Sequence, residues 1–172
     1  MRGDADHRPG GVGYLTNDVP GCPTGGLLSG TERADILSGE KGEDEVRGLG
    51  TPKGQADELY GGSDDDVLHD GAGMDFLYGE QDDDVLYGGD GADILLVGGK
   101  GADVIRGGDG NYFFEGSADG QRDKLYCGKG RDEYSAEKID CMYPAVARKA
   151  GSPIPAALPW YSSLARLCVP RL

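Results

Sequence analysis

Aspartates recur at a nearly constant spacing through the middle of the chain, at Asp57, Asp66, Asp75, Asp84, Asp93 and Asp103. The first five are nine residues apart, and Asp103 follows after one extra residue that we place near Leu96 and Val97. If alternate turns lie above one another, their carboxylates stack at about the 4.8 Å strand spacing and repel each other. Carboxylate oxygens and the carbonyls of glycine turns form an all-oxygen ligand set, which Ca²⁺ prefers. The spacing therefore predicts a series of calcium sites.

Each aspartate belongs to a nine-residue unit such as GGSDDDVLH, which begins at Gly61. Glycines at the first, second and fourth places permit the positive φ of a sharp turn. The last three places suit a short strand whose middle residue points inward, at Leu59, Leu68, Leu77, Leu86, Leu95 and Ile105. Two units then make one coil, and stacked coils form two parallel sheets around a narrow core.

The unit resembles the G-G-x-G-x-D-x-U-x nonapeptide of the RTX, or haemolysin-type, calcium-binding repeats. This resemblance implies an all-β fold, a right-handed parallel β-roll with irregular N- and C-terminal tails. It also implies several Ca²⁺ ions, each held by aspartates and main-chain carbonyls of turns i and i+2. The turn glycines expected at these sites are Gly61, Gly71, Gly73, Gly79, Gly89, Gly91, Gly99 and Gly101.

The units before Asp57 keep the pattern less well. Asp35 and Asp44 stay in register as weaker sites, but Arg33 and Lys41 replace the usual small or acidic neighbours. Residues 50–55 carry a four-residue insertion, which should bulge from one edge. We therefore expect any ion between the turns of Asp35 and Asp57 to be held poorly.

The pattern also weakens after Asp103. Tyr112 stands at the sixth place of its unit, so this turn lacks a carboxylate, and Asp123 and Asp132 resume the spacing as weaker sites. We expect a flexible lead over residues 1–27, the calcium-binding roll over 28–135, a capping segment over 136–143 and an Ala- and Pro-rich tail over 144–172.

The four cysteines point to an oxidising compartment, because their number is even and none forms a C-x-x-C pair. The phrase DKLYCGKGRDEYSAEKIDC is similar to the C-terminal end of secreted bacterial proteins built from these repeats, which implies a disulfide between Cys127 and Cys141. Cys22 and Cys168 could pair with each other, pair between chains or remain free. We expect an extracellular protein, although no signal peptide is visible before Gly21.

The charge of the chain excludes nucleic acid as an obvious partner and favours bound cations. The net charge is −14, and residues 55–99 contain thirteen Asp and Glu but no Lys or Arg. Such Gly- and Asp-rich sequence is also typical of disorder, so we expect a folded chain only with calcium present. No stretch is long and apolar enough to span a membrane.

No catalytic motif is found, because H-E-x-x-H and G-x-S-x-G are both missing. We therefore expect a calcium-binding protein that folds on binding Ca²⁺ and is not an enzyme. One alternative is an extracellular adhesion or interaction module with structural calcium, whose outward ladders, such as Tyr60 over Tyr78 and His69 over Tyr87, bind an unidentified protein or cell-surface polymer. Another is the detached calcium-binding part of an RTX enzyme.

Overall fold

A computed structural model describes residues 13–16, 25–51, 55–91, 95–115, 119–135, 139–141 and 166–167. Every regular element in these ranges is a β-strand. The strands are β1 (Gly13–Thr16), β2 (Leu27–Ser29), β3 (Asp35–Lys41), β4 (Glu45–Arg47), β5 (Glu58–Ser63), β6 (Val67–His69), β7 (Ala72–Gly73), β8 (Phe76–Gln81), β9 (Val85–Tyr87), β10 (Asp90–Gly91), β11 (Leu95–Lys100), β12 (Val104–Asp109), β13 (Phe113–Glu115), β14 (Asp123–Lys129), β15 (Glu133–Ser135), β16 (Ile139–Cys141) and β17 (Arg166–Leu167).

The strands form two sheets that the chain enters alternately. Sheet A has the order β1-β3-β5-β8-β11-β13-β15-β17, and the main path of sheet B is β16-β14-β12-β9-β6-β4-β2. The short strands β7 and β10 pair with each other, and β10 also pairs with β12. Every described pairing is parallel except that of β15 with β17. The predicted parallel β-roll is confirmed.

A single column of side chains from each sheet fills the space between them. The buried residues of sheet A are Leu37, Leu59, Leu77, Leu96 and Phe114, and those of sheet B are Leu28, Val46, Leu68, Leu86, Ile105 and Leu125. These are the middle residues of short strand segments, so period-two alternation puts them on the inner face. Fully burying an aliphatic side chain stabilises a fold by about 1.5–3 kcal/mol. The column is therefore the main apolar contribution to the roll.

The inward assignment of Leu95 was wrong. Leu96 pairs with Leu77 and is fully buried, whereas Leu95 pairs with Phe76 and is partly exposed. The offset between neighbouring coils is 18 residues at Gly91, which pairs with Gly73, and 19 residues at Leu95. The extra residue is therefore accommodated before Leu95 and not near Leu96, which moves the next side chain to the core.

Several strands are longer than the three residues expected from the repeat. In β5 and β8 the pairing continues past the core residue into the next turn, where Gly62 pairs with Glu80. We call this side of the roll the A-to-B edge, because here the chain passes from sheet A to sheet B, with described turns at 39–44, 61–66, 79–84 and 98–103. The opposite B-to-A edge has turns at 30–35, 48–57, 70–75, 107–112 and 127–132.

The insertion before Asp57 leaves the sheets in register. Ile36 pairs with Glu58 in sheet A, and Glu45 pairs with Val67 in sheet B, both across 22 residues. The extra length thus lies within the turn at 48–57, and its central residues 52–54 are outside the described ranges. The predicted bulge at this edge is not tested.

Strands also occur in segments that were predicted to be irregular. The backbone of β1 pairs with β3 from Gly13 with Asp35 onward, and β17 closes sheet A antiparallel to β15. In the segment predicted as a cap, β16 pairs with β14 and places Cys141 opposite Leu125. Cys22 and Cys168 lie outside the described residues. The described part of the chain contains no helix long and apolar enough to cross a membrane.

Candidate metal-binding edges

The sixth-place aspartates turn their side chains into the roll, although aspartate is seldom buried in proteins. All the described ones are at most 5 % exposed: Asp35, Asp44, Asp57, Asp66, Asp75, Asp84, Asp103, Asp123 and Asp132. Each stands just before a strand or is the first residue of one, where the turn brings its side chain over the end of the apolar core. Asp93 lies outside the described ranges. The two edges of the roll are therefore lined by buried carboxylates.

In every described sixth-place aspartate except Asp35, one carboxylate oxygen accepts a hydrogen bond from a main-chain N–H of the preceding coil. Along the A-to-B edge, the N–H groups of residues 44, 66, 84 and 103 donate to Oδ1 of Asp66, Asp84, Asp103 and Asp123 at 2.8, 2.8, 2.9 and 3.2 Å. Along the B-to-A edge, the N–H groups of residues 35 and 57 donate to Oδ1 of Asp57 and Asp75 at 2.8 and 2.7 Å.

The predicted stacking of turns i and i+2 pairs each aspartate with the one two turns later. The hydrogen bonds join three of these predicted pairs: Asp57 with Asp75, Asp66 with Asp84, and Asp84 with Asp103. The fourth predicted partnership, of Asp75 with Asp93, falls outside the described residues.

The other oxygen of four of these carboxylates is buried without a hydrogen-bond partner. These atoms are Oδ2 of Asp57, Asp66, Asp84 and Asp103. Leaving a buried polar group unsatisfied destabilises a fold by about 1–3 kcal/mol, and a charged group costs more. A proton or a cation at these four oxygens would remove this cost.

Burial also raises the pKa of these groups. The pKa of Asp84 is raised to about 8 because burial disfavours the charged form, with further increases from the carboxylates of Asp103 and Asp66. The hydrogen bond from the Asp66 N–H opposes this shift. Burial likewise raises the pKa of Asp57, Asp66 and Asp103 to about 7 in each case. An anionic carboxylate here is costly unless a positive charge lies beside it.

A carbonyl oxygen of the next coil faces the same place as the unpaired carboxylate oxygen. A Cβ atom added to Gly61 would lie 2.6 Å from Asp66 Oδ2 and 2.7 Å from the Gly79 carbonyl oxygen. The arrangement recurs at Gly79, whose added Cβ would meet Asp84 Oδ2 and the Gly98 carbonyl oxygen. We call each such pair of oxygens beside a first-place glycine an oxygen cradle. A side chain at the first place would fill it.

A third cradle, on the B-to-A edge, contains a residue that the sequence analysis did not identify. A Cβ atom added to Gly48 would lie 2.5 Å from Asp57 Oδ2 and 2.7 Å from the carbonyl oxygen of Asp70. Asp70 takes the first place of its turn, where most turns have glycine, and it is fully buried. The sequence could have identified Asp70, because it directly precedes Gly71 and so takes the first place of its unit.

The predicted glycines divide into two groups. Gly61 and Gly79 border cradles, and an added Cβ at Gly73 would lie 2.5 Å from Asp75 Oδ2. Gly71, Gly89, Gly99 and Gly101 have positive φ and approach the backbone of a neighbouring coil, and Gly91 pairs with Gly73. Gly98, which was missed, borders the Asp103 carboxylate. It could have been found from its position five residues before that aspartate, the spacing of Gly61 and Asp66.

Three consecutive aspartates occur at residues 64–66 and at residues 82–84. These two turns keep the backbone geometry that glycine at the fourth place usually provides. Asp64 and Asp82 stand at the fourth place and adopt φ values of 81° and 71°. Both are exposed, and their carboxylates accept hydrogen bonds from the N–H groups of Gly42 and Asp64 at 3.1 and 3.2 Å. Both residues thus support the turn, and the charge of Asp64 also raises the pKa of the buried Asp66.

Asp35, which was predicted to be a weaker site, differs from the central aspartates in its hydrogen bonds. Its Oδ2 accepts hydrogen bonds from the N–H and the hydroxyl of Thr31 at 2.6 and 2.9 Å. Poor calcium binding at Asp35 was expected from the sequence because of the insertion, but a hydrogen bond joins Asp35 and Asp57 across it. If Asp35 binds calcium weakly, competition from Thr31 explains this better than the insertion does.

The other aspartates that were predicted to form weaker sites differ in their backbone partners. Asp44 Oδ1 accepts a hydrogen bond from the N–H of Gly26 at 2.5 Å, and Asp132 Oδ1 accepts one from the N–H of Tyr112 at 3.2 Å. Burial raises the pKa of Asp132 to about 6 and also raises the pKa of Asp123.

Main-chain carbonyls must supply part of any metal coordination. No group of three or more His, Cys, Asp or Glu side chains in the described ranges is arranged to hold a metal ion. Each cradle instead combines one carboxylate oxygen with a carbonyl oxygen of the next coil. This all-oxygen set fits Ca²⁺, which accepts six to eight such ligands in flexible geometry, better than Zn²⁺ or other metals that bind nitrogen and sulfur.

Comparison with known families agrees with this chemistry. A family model described as the RTX calcium-binding nonapeptide repeat, present in four copies, matches residues 27–50, 60–95 and 95–119. No curated protein and no solved structure matches the chain significantly. The interruption between the first two matches coincides with the insertion in the turn at 48–57. The chain is therefore a member of the RTX calcium-binding nonapeptide repeat family, and its repeats bind calcium.

Proposed function

We propose that the protein is a secreted, non-enzymatic β-roll that folds when it binds several Ca²⁺ ions. The observation that carries this proposal is the set of buried, unpaired oxygens at Asp57, Asp66, Asp84 and Asp103. Desolvating a charge costs several kcal/mol even after relaxation of the protein. A whole domain is stable by only about 5–15 kcal/mol. Four uncompensated carboxylates are thus enough to prevent the roll from closing.

Calcium would remove this penalty at the position where two coils meet. Its ligands would come from the carboxylate of one turn, such as Asp66, and from the carbonyl of the next coil, such as Gly79. An ion at this place joins the two coils, so binding is possible only when they are stacked. The free energy of ion binding then becomes free energy of folding.

Secretion is supported by the four cysteines, whose even number without a C-x-x-C pair is typical of an oxidising compartment, and it agrees with the proposed folding on calcium. Extracellular calcium-binding modules work with dissociation constants of about 10⁻⁴–10⁻³ M, whereas intracellular sensors and buffers bind much more tightly. A roll with sites in the extracellular range would stay unfolded in the cell and fold after export. Detection of the protein in the culture medium of the producing cells tests this part of the proposal, and its retention in the cell fraction would contradict it.

The proposed lack of enzymatic activity is supported by the contacts of His69, which is the histidine within the described ranges. These contacts give its side chain a structural role. Its ring stacks on Tyr87 at 4.4 Å, and Nε2 lies 3.7 Å from Glu45 Oε1. Burial lowers the pKa of this imidazole. A ring held between neighbours on an outward ladder is suited to stabilising the sheet.

The outer faces of the sheets favour a second candidate function, an adhesion or interaction module with structural calcium. On sheet A, Tyr60 and Tyr78 stack at 4.9 Å. On sheet B, the Arg106 guanidinium lies 4.3 Å from the centre of the Tyr126 ring. Capture of a partner only in calcium, and its loss after Tyr78→Ala in a folded chain, would support this candidate.

Hydrogen exchange of the whole chain tests coupled folding directly at the strands. With calcium, the amides of β5, β8 and β11 should be protected, because they are bonded within sheet A. In calcium-free buffer near pH 8 they should exchange almost as fast as in an unfolded chain. Equal protection in both buffers would contradict coupled folding but not calcium binding.

A further inference from the structure

We infer that Tyr112 takes the place of a calcium ion at the turn 107–112, so that this coil closes without metal. The inference rests on calcium binding at the other cradles and concerns the turn that departs from them. Tyr112 is 2 % exposed and stands at the sixth place, where the other described turns have a buried aspartate.

The backbone of this turn is the same as in the aspartate turns. The N–H of Tyr112 donates to Oδ1 of Asp132 on the next coil, as the N–H of Asp57 donates to Oδ1 of Asp75. The strand that follows is also in register, with Phe113 paired with Glu133. The turn therefore keeps this backbone bond and the strand register, while its sixth-place side chain is a phenol in place of a carboxylate.

The phenol ring fills the space that an oxygen cradle leaves for an ion. A Cβ atom added to Gly107 would lie 2.5 Å from the Cys127 carbonyl oxygen and 2.8 Å from Cδ2 of Tyr112. At Gly61 the corresponding atoms are the Gly79 carbonyl oxygen and Oδ2 of Asp66. A ring carbon thus stands where the other turn has a carboxylate oxygen. An ion beside Gly107 would lose a ligand and meet an apolar surface.

The hydroxyl group gives the turn a bond that needs no metal. Tyr112 Oη donates a hydrogen bond of 3.0 Å to the carbonyl oxygen of Gly89 on the preceding coil. A buried tyrosine hydroxyl normally requires such a partner. The ring also packs against Phe114, with centroids 5.8 Å apart. The neutral phenol therefore links two coils and avoids the cost of burying a carboxylate.

The consequence is an interruption of the calcium sites on the B-to-A edge. On one side of it lie the turns of Asp57 and Asp75, and on the other lies Asp132. The A-to-B edge has no such break in its described part, where carboxylates continue from Asp44 to Asp123. The aromatic core at Tyr112 and Phe114 then supplies stability that calcium supplies elsewhere.

The test is the number of Ca²⁺ ions bound by the full chain, measured by equilibrium dialysis at saturating calcium. We expect Tyr112→Asp to bind one ion more than the wild type, because it restores a carboxylate beside the Cys127 carbonyl. Tyr112→Phe should bind the same number as the wild type while needing more calcium to fold, because it loses the bond to Gly89. Asp84→Asn, which removes charge from a cradle, serves as the matched control and should bind fewer ions.

Two results would overturn the inference. One is a folded Tyr112→Asp chain that binds no additional ion, and the other is a Tyr112→Phe chain that binds one ion fewer, since the phenol oxygen would then be a ligand. If Tyr112→Asp does not fold, the count for Tyr112→Phe still decides. A wild-type chain that binds no calcium would contradict calcium binding itself, so the two failures are distinguishable.

Discussion

The main-chain N–H of Asp66 donates a hydrogen bond of 2.8 Å to Oδ1 of Asp84 on the next coil, and Oδ2 of Asp84 remains buried without a hydrogen-bond partner. The bond to Oδ1 aligns the two turns. Oδ2 of Asp84 is left beside the Gly98 carbonyl oxygen. A neutral side chain would have satisfied the backbone as well. An acidic residue at this position fits the calcium binding of these repeats.

Removing that charge should have opposite effects with and without calcium. We expect Asp84→Asn to raise the calcium concentration at the folding midpoint roughly tenfold, which corresponds to about 1.4 kcal/mol. In calcium-free buffer the same variant should be more folded than the wild type, because a buried charge has been lost. Circular dichroism measures both effects.

The matched control is Asp83→Asn, since Asp83 is the exposed neighbour in the same turn. Its midpoint should move by much less than that of Asp84→Asn. Similar shifts for the two variants would mean that only the overall negative charge of the edge matters, and that the buried oxygen has no particular role.

The sites should be graded along the B-to-A edge. Asp75 is fully buried and binds the N–H of Asp57, whereas Oδ2 of Asp35 is already bonded to Thr31. Asp75→Ala should therefore shift the calcium midpoint of folding more than Asp35→Ala. Calcium titrations of the two variants decide this, and an equal or larger shift for Asp35→Ala would contradict the arrangement of sites.

Acid should partly replace calcium. The folded, calcium-free roll holds Asp57, Asp66 and Asp103 with pKa values of about 7 and Asp84 with about 8, above the ordinary 3.8. Groups with a raised pKa stabilise the fold fully below pH 3.8, and this contribution is lost as the pH rises through 7 to 8. The calcium-free chain should thus have more β-structure near pH 5 than near pH 8.

The same protonation should compete with calcium, so the midpoint concentration should rise as the pH falls. Circular dichroism in buffers freed of calcium by a resin, followed by titrations at the two pH values, measures both effects. A calcium-free chain that is more folded near pH 8 would contradict the assigned burial of these carboxylates.

A disulfide between Cys127 and Cys141 should close the C-terminal end of the roll. Cys127 is buried in β14, and the backbone of the neighbouring β16 carries Cys141 opposite Leu125. A closed loop of about 15 residues stabilises a fold by about 3 kcal/mol in the chain-entropy model. Peptide mass mapping of exported protein without reduction should find the linked pair. Free thiols at both positions would remove this cap and weaken the case for secretion.

The sequence was sufficient to predict the parallel β-roll and the pairing of aspartates two turns apart, because both follow from the fixed repeat period. Leu68 and Leu86 are in register as the spacing requires, and so are Asp66 and Asp84. The stacks of Tyr60 on Tyr78 and His69 on Tyr87 were also predicted correctly. A nine-residue period with alternating side chains leaves little freedom in any of these contacts.

The errors arise where the period changes or a side chain finds a local partner. A single extra residue can be placed at several points of a turn, so the choice between Leu95 and Leu96 required the pairing of β8 with β11. The bonds of Thr31 to Asp35 and of Tyr112 to Gly89 depend on the exact turn geometry. The repeat pattern carries no information about either.

Far-ultraviolet circular dichroism during a calcium titration of the whole chain near pH 8 tests calcium-coupled folding most directly, with Mg²⁺ as the matched control. Mg²⁺ requires a smaller octahedral site and loses its water reluctantly, so it should not replace Ca²⁺ in cradles of carboxylate and carbonyl oxygens. We expect a disordered spectrum without calcium, a cooperative rise of the β-sheet signal with Ca²⁺, and little change with Mg²⁺. A full β-sheet spectrum in calcium-free buffer, or equal folding with Mg²⁺, would contradict the account.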